Sequence, residues 1–181
     1  FGRAVSAERP AEELDLTRRP DDRLHLCGKF FYLTDLAAPE AEPGRSWSVG
    51  WSPMRRVGPD YATERPGRAS FAYGHTWRGI RAQARVAVPA DDPVELWTVH
   101  LENPGPAPRR VALASYSEPV LHVPDAYRRH PSFTTLHLVT TFVRPLAALL
   151  ARNRLLKHGP RHPRRGRPSR EVAFPAVREE A

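Results

Sequence analysis

The sequence predicts an all-β fold, an antiparallel sandwich of short strands. Apolar and polar residues alternate in short segments, turn-forming residues separate these segments, and proline is frequent. The chain of 181 residues contains 20 prolines and 11 glycines. Proline at this frequency disfavours long helices and suits short strands joined by turns. The length is that of one ordinary domain, with or without a tail.

The first two strands are predicted from aromatic residues. Lys29–Thr34 is dense in aromatic side chains, which is typical of a buried strand. Ser46–Trp51 alternates, so that Trp47, Val49 and Trp51 are expected to share one face.

The clearest pattern follows a loop that is predicted for residues 53–68. Ala69–Trp77 and Ile80–Val88 are two extended segments separated around Gly79. Val94–Glu102 carries apolar groups on both faces, as a strand in a packed sandwich does.

The remaining elements are less regular. Val111–Ser117 is predicted to be a strand and residues 118–132 a long loop. Leu136–Val143 is again extended. Residues 145–156 fit either an amphipathic helix that starts at a proline or the second half of a hairpin. Glu171–Val177 has enough apolar character for a last short strand.

Three regions are predicted along the chain. Residues 1–23 form a poorly ordered lead-in with at most one edge segment around Leu14–Thr17, residues 24–154 form the sandwich, and residues 155–181 form a basic, flexible tail. The chain begins with Phe1 rather than Met, so we expect an excerpt of a longer protein with a cytoplasmic setting. No apolar stretch approaches the roughly 20 residues of a membrane span.

Charge and cysteine content restrict the classes of function. The formal net charge is +8, but arginine is concentrated in Arg152–Arg170 among prolines and glycines, so a solvated tail is favoured over a nucleic-acid-binding one. Pro160 lies between His158 and His162 and disfavours a helical metal site there. Cys27 is the only cysteine, which excludes an internal disulfide and suits a buried apolar residue.

Several motifs resemble glycoside hydrolase family 94, formerly glycosyltransferase family 36. Gly28–Asp35, Trp47-Ser48 and Trp51-Ser52-Pro53 resemble the family's GRFFYLRD, WS and W-P run. The family contains cellobiose and chitobiose phosphorylases and the phosphorolytic region of cyclic β-1,2-glucan synthases. The similarity spans roughly residues 28–154 and continues in Gly79–Arg81, Val86–Trp97, Leu101–Asn103, Arg109–Glu118, His130–Phe133 and Leu149–Arg152.

The resemblance implies a galactose-mutarotase-like β-supersandwich that precedes an (α/α)6 catalytic barrel. In such enzymes the barrel carries the general-acid aspartate and the phosphate site, whereas the sandwich helps to form a homodimer and supplies loops near the substrate entrance. The family's early Pro-Trp-rich strands are not seen upstream of residue 28, so the sandwich is expected to be incomplete and the barrel absent. The resemblance favours a hairpin for Arg144–Arg154.

No catalytic or metal-binding residue is predicted. Asp21-Asp22 belongs to the lead-in, and Asp91-Asp92 lies between two prolines in a turn, where aspartate normally caps backbone groups. Flat aromatic rings can stack on the apolar faces of sugars, although most tryptophans in a sandwich fill the core. Trp97 is therefore expected in the core.

Three residues are predicted to bind carbohydrate. Trp47 and Trp51 border loops, and Arg55 lies near them and can donate hydrogen bonds to hydroxyl groups. We predict a carbohydrate-binding accessory sandwich of a glycoside phosphorylase- or glycosyltransferase-type enzyme that acts on β-glucan oligosaccharides. Its partners would be an oligosaccharide, the absent barrel and a second copy of the chain, with phosphate as the family's co-substrate and no cofactor. The alternatives are a stand-alone carbohydrate-binding or interaction module, or a non-functional fragment of a truncated gene.

Overall fold

Alternating side chains and frequent turns produce the expected β structure in the computed structural model of the chain. The structure describes residues 3–5, 13–18, 28–89, 94–155 and 171–175. Within these residues there are thirteen strands, two short α-helices and one 3₁₀ turn. The paired strands whose register is defined are antiparallel. The predicted all-β sandwich class is confirmed.

The elements follow in chain order. They are β1 (Arg3–Val5), β2 (Glu13–Thr17), β3 (Lys29–Asp35), β4 (Ser46–Ser48), β5 (Ala62–Gly67), β6 (Ser70–Trp77), β7 (Ile80–Ala87), β8 (Leu96–Glu102), β9 (Val111–Ser117), β10 (Pro119–His122), α1 (Pro124–Arg129), α2 (Pro131–Leu136), β11 (Leu138–Val143), the 3₁₀ turn (Arg144–Leu146), β12 (Ala148–Asn153) and β13 (Glu171–Pro175). The chain divides into two compact units, one of Lys29–Tyr116 and one of Phe1–Gly28 with Ser117–Ala181.

The unit of Lys29–Tyr116 is a two-sheet sandwich. One sheet has the order β4-β3-β9 and the other the order β5-β6-β7-β8. On β7 every second residue is buried while the arginine and glutamine residues between them are exposed, so one face of that strand supplies the core. The buried core cluster joins both sheets and consists of Phe31, Leu33, Trp47, Val49, Ile80, Ala82 and Ala84.

A nearly buried carboxylate links the end of β3 to two arginines within this unit. Asp35 accepts hydrogen bonds from Nη2 of Arg109 at 2.7 Å, from Nε of Arg78 at 3.2 Å and from the backbone N–H of Ala37 at 3.1 Å. Burial raises the pKa of Asp35, but these donors outweigh burial, so the pKa lies below its ordinary value. The ionised carboxylate therefore joins β3 to the turn after β6 and to the segment before β9.

The other unit contains two three-stranded sheets and both helices. Its sheets have the orders β1-β2-β10 and β11-β12-β13. β11 and β12 pair in continuous antiparallel register across the 3₁₀ turn, which settles the open choice for Arg144–Arg154 in favour of the hairpin. Asn153 is buried and donates from Nδ2 to the carbonyl of Leu121 at 3.2 Å, which ties β12 to β10.

Two loop predictions were wrong, because the strands within these loops lack the alternating pattern. β5 lies in the predicted loop of residues 53–68, and all of its residues are exposed, so no apolar face signals a strand. β10 and α1 lie in the predicted loop of residues 118–132. β10 buries the consecutive residues Val120 and Leu121, and Leu121 has a φ of 50°, so alternation fails there.

The predicted lead-in also contains more structure than expected. Two strands lie in residues 1–23, and β2 is the central strand of its sheet rather than an edge. Leu136 ends α2 instead of starting the following strand. The predicted last strand is found as β13. Cys27, Asp21-Asp22, Asp91-Asp92, His158 and His162 lie outside the described residues, as does most of the predicted basic tail.

Candidate functional site

The segment between β4 and β5, residues 49–61, is termed the Trp51 loop. It leaves the core after the buried Val49, whose N–H donates to the carbonyl of Phe31 at 2.9 Å. The Ser52-Pro53 peptide bond is cis, and Arg55 follows with a φ of 54°. The N–H of Arg55 donates to the carbonyl of Trp51 at 2.8 Å. This tight turn brings the side chains of Trp51 and Arg55 close together.

Trp51 and Arg55 form an exposed pair. The Trp51 side chain is 47% exposed, and Cζ of the Arg55 guanidinium lies 5.5 Å from the centroid of its ring. This distance is within the range of a cation–π interaction. The pair presents a flat apolar surface beside several N–H donors, which is the combination that a sugar ring and its hydroxyl groups can use.

A buried histidine holds the middle of the loop. His75 lies on β6 and is 2% exposed. Its Nδ1 accepts a hydrogen bond from the N–H of Gly58 at 3.0 Å, and its Nε2 lies 3.1 Å from the carbonyl oxygen of Ser48. These partners require the neutral ring with the proton on Nε2. A Cβ at Gly58 would lie 2.1 Å from the carbonyl oxygen of Thr76, so the close approach requires glycine.

An aspartate holds the end of the loop on the same strand. Both oxygens of Asp60 accept from the N–H of Thr76, at 2.9 and 3.0 Å, and the Thr76 hydroxyl donates to Oδ2 at 2.7 Å. The Thr76 side chain and backbone donors hold the pKa of Asp60 below its ordinary value. Asp60 is the only acidic residue of the loop. A carboxylate stabilised in its ionised form is a poor general acid, so the arrangement suits binding and orientation.

The structure separates the three residues predicted to bind carbohydrate. It brings Trp51 and Arg55 together at the surface, but Trp47 has no exposed surface and belongs to the core cluster. Trp47 cannot offer a ring face to a ligand in this arrangement, which corrects its predicted role. Trp97 packs against the core, with its ring centroid 5.4 Å from that of Phe31, as expected.

Sequence reasoning missed the residues that position the loop. His75 and Asp60 attach the Trp51 loop to β6. One signal was available for His75, because it alternates with Tyr73 and Trp77 on the strand and therefore shares their face. Met54, which is 38% exposed next to the pair, was also missed.

The described residues lack two other features, a metal-binding cluster and a membrane-spanning helix. None of the His, Cys, Asp and Glu residues there form a group of three or more that could hold a metal ion. The helices in the described part of the chain are short, and none has the length and apolar character needed to cross a membrane.

The sequence of this chain is similar to those of known proteins. Residues 2–180 match the family described as "Glycosyl hydrolase 94, supersandwich domain". The chain is 38% identical over 138 residues to solabiose phosphorylase of Paenibacillus borealis, an alignment that covers 74% of this chain and 16% of that protein. It is 30% identical over 125 residues to the cyclic beta-(1,2)-glucan synthase NdvB of Rhizobium meliloti, covering 69% of this chain and 4% of that protein. The matched region is thus a small part of each relative.

Proposed function

Because the chain belongs to glycosyl hydrolase family 94 as a supersandwich domain, we propose that it is a carbohydrate-binding, accessory sandwich of a glycoside phosphorylase- or glycosyltransferase-type enzyme. In this role the sandwich binds and orients an oligosaccharide, and the chemistry takes place elsewhere in the whole enzyme. Catalysis would belong to the (α/α)6 barrel, with phosphate as co-substrate. A homodimer and a cytoplasmic setting are part of the same proposal.

The exposed Trp51–Arg55 pair is the observation that carries this proposal. Trp51 is half exposed in a sandwich whose Trp47 is completely buried. The loop that carries Trp51 is attached to β6 at both Gly58 and Asp60, so its second half is fixed before a ligand arrives. Such preorganisation reduces the entropy lost on binding, which supports a binding role over a passive surface loop.

We propose β-linked gluco-oligosaccharides as the ligand class. The support comes from the names of the relatives, one of which is a cyclic β-(1,2)-glucan synthase and the other a phosphorylase named for solabiose. Trp51 would stack on one pyranose ring, and Arg55 would donate to its hydroxyl groups. The pyranose ring is uncharged, and each of its hydroxyl groups can both donate and accept a hydrogen bond. Such a ring fits an aromatic face that lies beside a guanidinium.

Calorimetric titration of the chain with β-1,2-, β-1,3- and β-1,4-linked gluco-oligosaccharides tests this function. Saturable binding of at least one β-linked series, with weaker binding of an α-1,4-linked oligosaccharide of equal length, is the expected result. A cooperatively folded chain that binds none of them would overturn the carbohydrate-binding role. Preference for the α-linked sugar would overturn the proposed ligand class.

A further inference from the structure

A groove crosses the face of the β5-β6-β7-β8 sheet that points away from the core. Since Ala82 and its alternate neighbours on β7 are buried in the core cluster, Gln83 lies on the opposite face. The strand register places Ala62, Gly74, Gln83 and His100 side by side in one row across the four strands. Neighbouring strands are about 4.8 Å apart, so the row extends over about 14 Å.

Small residues make this row a depression. Ala62 and Gly74 are neighbours in the row, and Ala72 lies beside them on β6. β6 and β7 approach so closely at Gly74 that a Cβ there would lie 2.2 Å from the carbonyl oxygen of Ala82, so the floor is backbone at that point. The resulting cavity has a volume of about 350 Å³, at the lower end of the range for small-molecule sites.

Polar side chains line the groove. On one side Nη1 of Arg81 forms an ion pair with Oε2 of Glu102 at 3.2 Å, and both side chains remain well exposed. Glu64, Gln83 and His100 also line the cavity. An amide, an imidazole and a guanidinium–carboxylate pair together offer donors and acceptors along the whole length. This pattern suits neighbouring hydroxyl groups, each of which donates and accepts.

The charges of the lining restrict the class of ligand. Asp60, Glu64 and Glu102 are acidic and Arg81 is basic, so an anion such as phosphate would be repelled. Two of the three carboxylates already have cation or hydroxyl partners, since Glu102 binds Arg81 and Asp60 binds Thr76. These partners occupy oxygens of Asp60 and Glu102 that a bound cation would need. A neutral ligand rich in hydroxyl groups is therefore favoured.

We propose that this groove is a second carbohydrate site, which binds a neutral oligosaccharide across β5, β6, β7 and β8. Trp51 does not line it, so the site goes beyond the proposed function and does not depend on stacking against that ring. The length of the row favours several linked sugar rings over a monosaccharide. A saccharide that spans the groove and the Trp51 loop would gain affinity by multivalency, whereas one confined to the groove would bind weakly because the floor at Gly74 is backbone.

Backbone amide NMR of the chain titrated with cellohexaose and with a β-1,2-linked gluco-hexasaccharide tests the second site. The expected result is saturable shifts of amides in Ala72–Thr76, Arg81–Arg85 and Thr98–Glu102. Ala62→Phe, which fills the groove from the exposed edge strand, and Gln83→Ala should each weaken these shifts, with the dissociation constant rising about threefold to tenfold. Thr98→Phe is the matched control, because Thr98 is exposed on the same face but does not line the cavity.

The outcomes separate the groove from the Trp51 loop. Groove shifts that persist in Trp51→Ala support the second site even if the loop binds nothing. Saccharide shifts confined to the Trp51 loop, or groove shifts that are unchanged in Ala62→Phe with an intact thermal transition, overturn it. Groove shifts that appear on raising the protein concentration without saccharide would assign the face to a second copy of the chain and would also overturn the proposal.

Discussion

The backbone N–H of Gly58 donates to Nδ1 of the buried His75 at 3.0 Å, although the two residues lie on different elements. The opposite ring nitrogen of His75 reaches the carbonyl of Ser48. One side chain of β6 thus joins the end of β4 to the middle of the Trp51 loop. This contact anchors the second half of a loop that is rich in proline and glycine and that carries the exposed Trp51.

His75→Ala should lower the free energy of unfolding by about 2–3 kcal/mol, since it leaves a buried N–H and a buried carbonyl without their partner. Urea unfolding measures the effect. His100→Ala is the control, because His100 lies on β8 of the same sheet and is exposed, and it should change stability by at most about 0.5 kcal/mol. Equal stability of the two variants would contradict the anchoring role of His75.

Gly58→Ala should destabilise the chain by about 1–3 kcal/mol, the usual cost of inserting a methyl group where there is no room. The added Cβ would meet the carbonyl oxygen of Thr76 at 2.1 Å, so the loop must move away from β6. Gly105→Ala is the control, since the nearest atom to a Cβ there is at 3.4 Å. A thermal melt that shows no difference between the variants would mean that the loop does not approach Thr76 this closely.

Asp35 should make the stability depend on acid pH. Its pKa in the folded chain lies below the ordinary value of 3.8, so its contribution is present above that pH and is lost as the pH falls through the folded-state value. Asp35→Asn should cost about 3 kcal/mol at neutral pH, because Arg78 and Arg109 lose their charged partner. The difference in free energy of unfolding between the chain and the Asp35→Asn variant should shrink as the pH falls below about 3.8. If the difference in free energy of unfolding between the chain and the Asp35→Asn variant stays constant as the pH falls, a stabilising ionised Asp35 is excluded.

The two tryptophans of the β4 region should differ in their effect on stability. Trp47→Ala removes a fully buried core side chain and should cost about 3–5 kcal/mol, whereas Trp51→Ala removes a half-exposed one and should cost about 1 kcal/mol or less. Nε1 of Trp47 has no hydrogen-bond partner among the described residues, so Trp47→Phe should cost less than Trp47→Ala. Chemical unfolding that ranks Trp51→Ala as the more damaging change would reverse this assignment.

Local patterns were enough to predict much of the sandwich. β6 and β7 follow their predicted bounds within one residue, because alternation is regular on β7 and Gly79 turns the chain with a φ of 77°. The shared face predicted for Trp47 and Trp51 fails because β4 ends at Ser48, after which the strand period no longer determines side-chain direction.

The anchoring of the site could not be predicted in the same way. The Gly58–His75 bond joins residues 17 positions apart on different elements, and no local spacing indicates such a pair. The groove depends on the register of four strands, and β5 was not recognised as a strand because all of its residues are exposed. The family, in contrast, was recognisable from ordered motifs along the chain.

The most direct test of a carbohydrate-binding sandwich is a calorimetric comparison of the chain with its Trp51→Ala variant, titrated with the β-linked gluco-oligosaccharide that binds best. We expect saturable binding by the unmodified chain and a rise in the dissociation constant of about tenfold in the variant, which corresponds to the loss of one aromatic contact of about 1.4 kcal/mol. Equal dissociation constants for the two folded proteins, or no binding by the unmodified chain, would contradict the carbohydrate-binding role.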